Sequence, residues 1–166
     1  PKHILRGHDA EISSVCFSVD LDLVVSGSKD GTLITHTLLS GRYTRTIHIP
    51  GGSPVDKVCL SSEGDIVAYC SADSTLHLFG INGRLIKTTS ANDTLCDMFI
   101  TKEGEFLITA GKKVYVRKMT TLDVAYSFSP GNLFKITSFL LTKNEEQIIT
   151  ALENGKLLAL RANERK

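Results

Sequence analysis

Apolar and polar residues alternate with a period of two along most of this chain, and Gly, Ser, Thr or Asn interrupts the alternation about every ten residues. The pattern predicts short strands and leaves no room for long helices. Four stretches resemble one another: Cys16 to Asp22, Cys59 to Asp65, Phe99 to Glu105 and Leu140 to Glu146. Each reads as a strand that ends in a polar turn. Each is followed by a second, more apolar strand: Leu23-Val24-Val25-Ser26, Ile66-Val67-Ala68-Tyr69, Phe106-Leu107-Ile108-Thr109 and Gln147-Ile148-Ile149-Thr150. A turn then leads to a third strand. Asp30-Gly31 and Asn154-Gly155 predict tight hairpins at this point, with both turn residues at positive φ. A fourth, more polar strand is predicted to begin near Arg42, Arg84 and Asp123.

The starts of the four stretches, at Cys16, Cys59, Phe99 and Leu140, recur every 40 to 43 residues. A period of about 40–45 residues built from strands is the signature of a β-propeller, in which each repeat forms one four-stranded blade. The expected fold is therefore all-β: four tandem antiparallel blades over 1–166, bounded near 7–50, 51–91, 92–131 and 132–166. Residues 1–6 are expected to form the outer strand of an adjoining blade, since Lys2-His3-Ile4-Leu5 precedes Gly7-His8 as an outer strand precedes the next blade. The last repeat ends after its third strand. A blade leaves both side faces to be covered by neighbours, so the chain is expected to be a segment of a larger ring. Pairing of two copies as a homodimer would also cover those faces.

The first repeat, from Gly7-His8-Asp9 through Ser26-Gly27-Ser28-Lys29-Asp30-Gly31-Thr32, resembles a WD repeat. That resemblance implies a structural turn network of His8, Asp30 and Ser26 or Ser28. The family's Trp is absent, and His36 stands in its place, with Phe79, Arg117 and Leu160 at the equivalent positions of later repeats. The Gly-His opening is replaced by Gly51-Gly52, Asn92-Asp93 and Asn132-Leu133, so repeats two to four rest on period and strand pattern. The run Ser26 to Thr37, Leu76-His77-Leu78-Phe79-Gly80-Ile81-Asn82-Gly83 and Leu152-Glu153-Asn154-Gly155-Lys156-Leu157 further resembles the C-terminal repeats of neurobeachin-like BEACH-domain proteins. The resemblance implies a propeller within a large cytoplasmic scaffold associated with membrane trafficking. The shortened turn at Gly111-Lys112-Lys113 departs from the pattern.

Charge and cysteine usage narrow the function classes. Lys and Arg number 19 against 18 Asp and Glu, for a formal charge of +1, which lacks the basic excess that a nucleic-acid backbone or an anionic membrane would attract. No stretch is long and apolar enough to insert into a bilayer. Cys16, Cys59, Cys70 and Cys96 form no Cys-x-x-Cys pair and have no His at metal spacing, so neither a metal site nor a disulfide framework is expected, and a reducing cytoplasmic setting fits them. No Gly-x-Ser-x-Gly, phosphate-loop or dinucleotide motif occurs, so no cofactor or nucleotide is expected. His8 with Asp30 could be a general base and its orienting carboxylate, but the turn network is the preferred reading. Asn92-Asp93-Thr94 fits a glycosylation pattern and is read as a turn between blades.

On a propeller, the turns between first and second strands would gather Asp20, Asp22, Glu63, Asp65, Glu103, Glu105, Glu145 and Glu146, with Lys102 and Lys143, on one acidic face. Arg42, Arg45, Arg84 and Lys87 would form a basic part of the rim. The opposite face would carry Asp9, Lys29, Ser53, Asp73, Asp93, Lys112, Lys113 and Asn132, and by analogy with WD-like propellers it is the face expected to contact partner proteins. The function expected is therefore protein–protein interaction within a BEACH-type trafficking scaffold. A WD-repeat adaptor or substrate receptor in another complex is the alternative, and an enzyme is the disfavoured third class.

Overall fold

The computed structural model describes residues 2–130, 134–142 and 147–161. The chain divides into two compact units, Pro1–Asn92 and Asp93–Lys166. Among the described residues there is no α-helix, so none is long and apolar enough to cross a membrane. A single turn of 3-10 helix lies at Pro50–Gly52.

The first unit holds two antiparallel four-stranded meanders. One comprises β1 (Ile12–Ser18), β2 (Leu23–Ser28), β3 (Thr32–Thr37) and β4 (Tyr43–His48) in spatial order β1-β2-β3-β4. The other comprises β5 (Lys57–Leu60), β6 (Ile66–Cys70), β7 (Thr75–Phe79) and β8 (Leu85–Ser90) in the same arrangement. Burial follows the sequence pattern. The apolar second strands β2 and β6 are buried along their whole length, whereas β8, with Lys87 and the three hydroxyl residues Thr88, Thr89 and Ser90, is largely exposed. Leu23, Val25, Leu33 and Ile47 of the first sheet, with Ile49 just after it, pack against Val55, Val58, Ile66, Ala68, Cys70 and Phe79 of the second or its approach. Each fully buried aliphatic side chain contributes roughly 1.5–3 kcal/mol, so this seam dominates the stability of the unit.

Polar bonds fix the same seam. The Ser13 hydroxyl donates to Val55 O at 2.6 Å, Ser14 Oγ accepts the Val58 amide at 3.1 Å, and the Val55 amide donates to Ser28 O at 3.0 Å. Burial pushes the Cys16 and Cys70 thiols up to about 12, so both sulfurs serve as small apolar fillers.

The second unit holds β9 (Asp97–Ile100), β10 (Phe106–Ala110), β11 (Val114–Lys118) and β12 (Val124–Phe128) in one four-stranded sheet, and β13 (Ile136–Leu141), β14 (Gln147–Leu152) and β15 (Leu157–Arg161) in a three-stranded one. Ile108, Ala110 and Val114 pack against Ile136, Phe139 and Leu152 between these sheets. Residues 162–166, which end the fourth repeat, lie outside the described residues.

Two expectations differ from the structure. Of residues 1–6, expected as an outer strand, the described residues 2–6 carry no strand assignment; His3 Nε2 instead bonds Leu39 O at 2.9 Å, and His36 Nε2 bonds Arg6 O at 3.2 Å. The segment is thus held by side-chain contacts to the first sheet. The hairpins at Asp30-Gly31 and Asn154-Gly155 do form, but only the glycines take positive φ, at 80° and 79°. Gly31 N donates to Ser28 O at 3.2 Å and Gly155 N to Leu152 O at 3.0 Å, which is the arrangement of a turn followed by a left-handed glycine bulge. Asp30 keeps ordinary φ because its carboxylate is committed elsewhere.

Candidate functional site

The polar network of the first blade connects the segment before β1 to the β2–β3 hairpin. His8 Nδ1 lies 3.1 Å from Asp30 Oδ2 and 3.1 Å from Thr32 Oγ1, and His8 Nε2 lies 2.8 Å from Ser26 Oγ. Asp30 Oδ1 accepts the Thr32 amide at 2.9 Å and the Thr32 hydroxyl at 2.5 Å, while Oδ2 also accepts the Asp9 amide at 2.9 Å. Thr32 has one hydroxyl proton and gives it to Asp30. His8 Nδ1 must therefore carry a proton toward Asp30, while Nε2 is hydrogen-bonded to the Ser26 hydroxyl. Ser28 Oγ accepts the Asp30 amide at 3.1 Å and shapes the turn.

The order Ser26, His8, Asp30 has the connectivity of a hydrolase triad. Its setting is different. Ser26 is only 8% exposed, in the middle of a fully buried strand, and its Oγ also lies 3.3 Å from the Ile34 carbonyl oxygen. The arrangement ties turn to strand and offers no open serine to an acyl group. Burial raises the pKa of Asp30, but the hydrogen bonds from Thr32, Asp9 and His8 outweigh it and hold the carboxyl at about 2.

The second blade carries a related network that its sequence did not announce. Asp73 accepts the Thr75 hydroxyl at 2.6 Å and the Ser53 hydroxyl at 2.7 Å, so Ser53 occupies the role that His8 has in the first blade. The histidine has moved into the third strand: His77 Nε2 lies 2.9 Å from Thr75 Oγ1, and Nδ1 lies 2.9 Å from Thr88 Oγ1. The third blade exchanges the two sides of the staple. Its turn, Gly111-Lys112-Lys113, has no carboxylate, and Asp93 reaches across from the preceding loop to accept the Lys112 and Lys113 amides, the latter at 3.2 Å. Gly111 makes this possible, since a Cβ there would lie 2.4 Å from Thr94 O and 2.8 Å from Asp93 Oδ2.

Where the Trp of a WD repeat is expected, the first three blades place buried His36, Phe79 and Arg117. Arg117 donates to Leu122 O at 3.1 Å, and Leu122 sits at a φ of 58°. Burial lowers the pKa of this guanidinium while Tyr115, whose ring centroid lies 5.5 Å away, raises it. A long side chain that can bond a strained loop carbonyl thus replaces an aromatic one.

These blades have clear counterparts among known proteins. The profile of the neurobeachin beta propeller domain matches residues 1–166, the whole chain. The chain belongs to the neurobeachin β-propeller family. Among curated relatives of this neurobeachin-type propeller, BEACH domain-containing protein B of Arabidopsis thaliana is 41% identical over 160 residues, covering 95% of the chain and 6% of the relative. BEACH domain-containing protein lvsE of Dictyostelium discoideum is 30% identical over 176 residues, covering 96% of the chain and 8% of the relative. The chain therefore spans less than a tenth of the length of these relatives. Two solved structures share the fold at 18% identity: the computationally designed Ika4 protein, with a TM-score of 0.78 and 96% of both chains covered, and the Cps50 (Swd1) beta-propeller domain of Myceliophteria thermophila, with a TM-score of 0.75 and 96% and 54% covered. WD-repeat β-propeller architecture follows from both comparisons.

Within the neurobeachin-type blades, many residues expected on a partner-binding face are engaged internally. Lys29 pairs with Asp56, whose other oxygen accepts the Ser71 amide at 2.6 Å. Burial raises the pKa of Asp56, and the bonds from Lys29 and Ser71 bring it below the usual carboxylate range. Ser53, Asp73 and Asp93 hold the staples described above, and Lys112 and Lys113 contribute their amides while their side chains remain exposed. The Asp9 side chain is also exposed, and Asn132 lies outside the described residues. Among the described residues, no group of three or more His, Cys, Asp or Glu is placed to hold a metal ion.

The acids of the strand 1–2 turns divide in the same way. Asp22 turns inward to accept the Leu39 amide at 2.7 Å, whereas Asp20, Glu63, Glu103 and Glu105 are exposed and Lys143, Glu145 and Glu146 lie outside the described residues. Asp65 lines a groove of about 480 Å³ with Gly80, Ile81, Asn82, Arg84, Leu85 and Ile86. The basic rim residues Arg42, Arg84 and Lys87 are exposed, and Arg45 donates to Asn82 O.

The second-blade network makes stability sensitive to mild acid. Burial lowers the pKa of His77, against a smaller opposing pull from Asp73, so protonation favours the unfolded chain. Its contribution is complete above the unfolded value of about 6.5 and is lost as pH falls below it. Asp73 is held below the usual range mainly by Thr75, with Ser53 adding to this against burial, so its contribution is present above about pH 4 and is lost only below that. Thermal melts are expected to drop between pH 7.5 and 5.5, and His77→Leu is expected to remove most of that drop. An unchanged slope in the variant would assign the sensitivity to another group.

Proposed function

We propose that this propeller is a protein-docking platform within a BEACH-type scaffold that acts in vesicle and membrane trafficking. The observation that carries this reading is the match of all 166 residues to the neurobeachin beta propeller domain, together with relatives named for BEACH domains. The geometry supports the docking part. The polar residues that could suggest chemistry are spent on turn staples, and a buried Ser26 leaves the His8–Asp30 pair a structural task. A scaffold needs rigid blades that present loops, and each staple fixes the entry to a blade against its hairpin. Placement in the cytoplasm, on the periphery of membranes through the parent protein, follows from the same reading.

Proximity labelling from the intact parent protein, compared with the parent lacking these 166 residues, tests it. Vesicle-coat, tethering or cargo-sorting proteins are expected to be labelled severalfold less without the propeller, while the abundance of the parent is unchanged. Neighbours that do not change on removal would overturn the reading. Loss of ubiquitin-ligase or chromatin components instead would replace it with an adaptor role in another complex.

A further inference from the structure

The groove lined by Asp65, Ile81, Arg84 and Ile86 is more than a gap between turns. Its rim is ordered before any ligand arrives. Gly80 N donates to Arg84 O at 3.0 Å, Gly83 N to Gly80 O at 2.8 Å, and Asn82 Oδ1 accepts the Arg84 amide at 3.0 Å, so the β7–β8 hairpin tip is internally closed. Arg45 of the neighbouring sheet ties down the Asn82 carbonyl. Ile81 rests on Gly64, where a Cβ would fall 2.6 Å from Ile81 Cδ1, so the glycine brings the two turns into contact.

This ordered rim nevertheless leaves apolar surface in water: Ile81, Leu85 and Ile86 are 48%, 41% and 52% exposed. Three adjoining aliphatic side chains on one groove differ from the scattered exposed residues of an ordinary surface. The charges are also unspent. Asp65 is half-buried and its carboxylate has no hydrogen-bond or ion-pair partner among the described residues, and Arg84 lines the same groove without pairing with it. Burial and the nearby Glu63 carboxylate raise the pKa of Asp65, so an added cation would relieve it.

We propose that this groove docks a short extended peptide in which a basic side chain, one or two aliphatic side chains and a carboxylate follow one another. The basic group meets Asp65 and Glu63, the aliphatic ones cover Ile81 and Ile86, and the carboxylate meets Arg84. The proposal rests on the docking-platform reading and gives it a site and a partner chemistry. An anionic membrane surface fits less well, because Asp65 and Glu63 would face it with like charge.

The probe is a capped peptide of lysine, two leucines and glutamate, titrated into the ¹⁵N-labelled chain and followed by NMR. Shifts are expected at residues 63–65 and 80–86, with an affinity that falls as salt rises. Asp65→Asn, at a half-buried position, and Ile86→Ser, at an exposed one, are each expected to weaken binding roughly five- to tenfold. Glu103→Gln is expected to leave it unchanged, and circular dichroism melts verify that all three variants fold. A peptide with lysine and glutamate exchanged is expected to bind more weakly. No shifts at millimolar peptide, shifts elsewhere, or equal binding by Asp65→Asn would overturn the proposal. So would sedimentation with phosphatidylserine vesicles that depends on Arg84 and Lys87 but not on Asp65. If the parent protein carrying Asp65→Asn and Ile86→Ser keeps every propeller-dependent neighbour, the groove fails and the platform stands. If removing the propeller changes no neighbour, the platform itself fails.

Discussion

Replacing Asp30 by Ala is expected to destabilise the first unit by about 2–4 kcal/mol, more than replacing its partner His8 or its second-blade counterpart Asp73. The carboxylate accepts the Thr32 amide, the Thr32 hydroxyl, the Asp9 amide and His8 Nδ1, at distances from 2.5 to 3.1 Å. Truncation leaves these donors without their acceptor at a site that is largely closed to water, and an unsatisfied buried donor costs about 1–3 kcal/mol. His8→Ala is expected to cost less, because Asp30 keeps its bonds to Thr32 and Asp9. Asp73→Ala is expected to cost about 1 kcal/mol, because it loses two hydroxyl partners that can turn toward solvent.

Urea titrations of the three variants would give this order, and hydrogen exchange would locate the loss at the Thr32 and Asp9 amides. The effect also has a pH signature. Since the folded carboxyl titrates at about 2 and the unfolded one near 4, the bond contributes fully above about pH 4 and is lost as pH falls toward 2. The difference between the wild-type chain and Asp30→Ala should therefore shrink in strong acid. Equal stability of Asp30→Ala and Asp73→Ala at neutral pH would mean that the two staples are equivalent despite their different bond counts.

How far the sequence was readable depended on whether a feature repeats. The strands were legible because their apolar residues recur at every period, and Leu23–Ser28, Ile66–Cys70, Phe106–Ala110 and Gln147–Leu152 all appear as second strands. The His8–Asp30 pair was legible through its resemblance to a WD repeat. His77 was not, because its partners Thr75 and Thr88 are ordinary strand threonines until the sheet brings them to one ring. Asp93 escaped for a related reason: it does the work of a turn aspartate from outside the turn. The expectation of two positive φ angles in the Asp30-Gly31 hairpin failed because it considered the turn alone. The demand of Asp30 for the Thr32 amide selects a turn in which only Gly31 is left-handed. The groove at Asp65 was invisible because its lining comes from two separate turns, Asp65 from one and Ile81 and Arg84 from the other, which only the fold brings together.

The second large effect separates backbone strain from close packing at the joint between the first two blades. Gly31 has a φ of 80°, and a Cβ there would lie 2.6 Å from Gly52 O and 2.9 Å from Gly52 C. Gly31 O also accepts the Ile49 amide at 3.0 Å, so the hairpin and the Pro50–Gly52 turn are held against each other by backbone alone. Gly52 has a similar φ of 70°, but a Cβ there would meet nothing within 4 Å. Gly52→Ala thus reports the left-handed conformation alone, roughly 1–2 kcal/mol. Gly31→Ala adds a backbone clash that no rotamer change can relieve, and about 3 kcal/mol or more in total is expected. Thermal melts of the two variants give the difference directly. Because the clash falls on the inter-sheet contact, Gly31→Ala should also speed hydrogen exchange at the Ile49 and Val55 amides, which bond across that joint. If the two alanine variants lose equal stability, the joint has room to open, and the two blades behave as less rigidly coupled than the shared core of Val25, Leu33, Ile49 and Val55 implies.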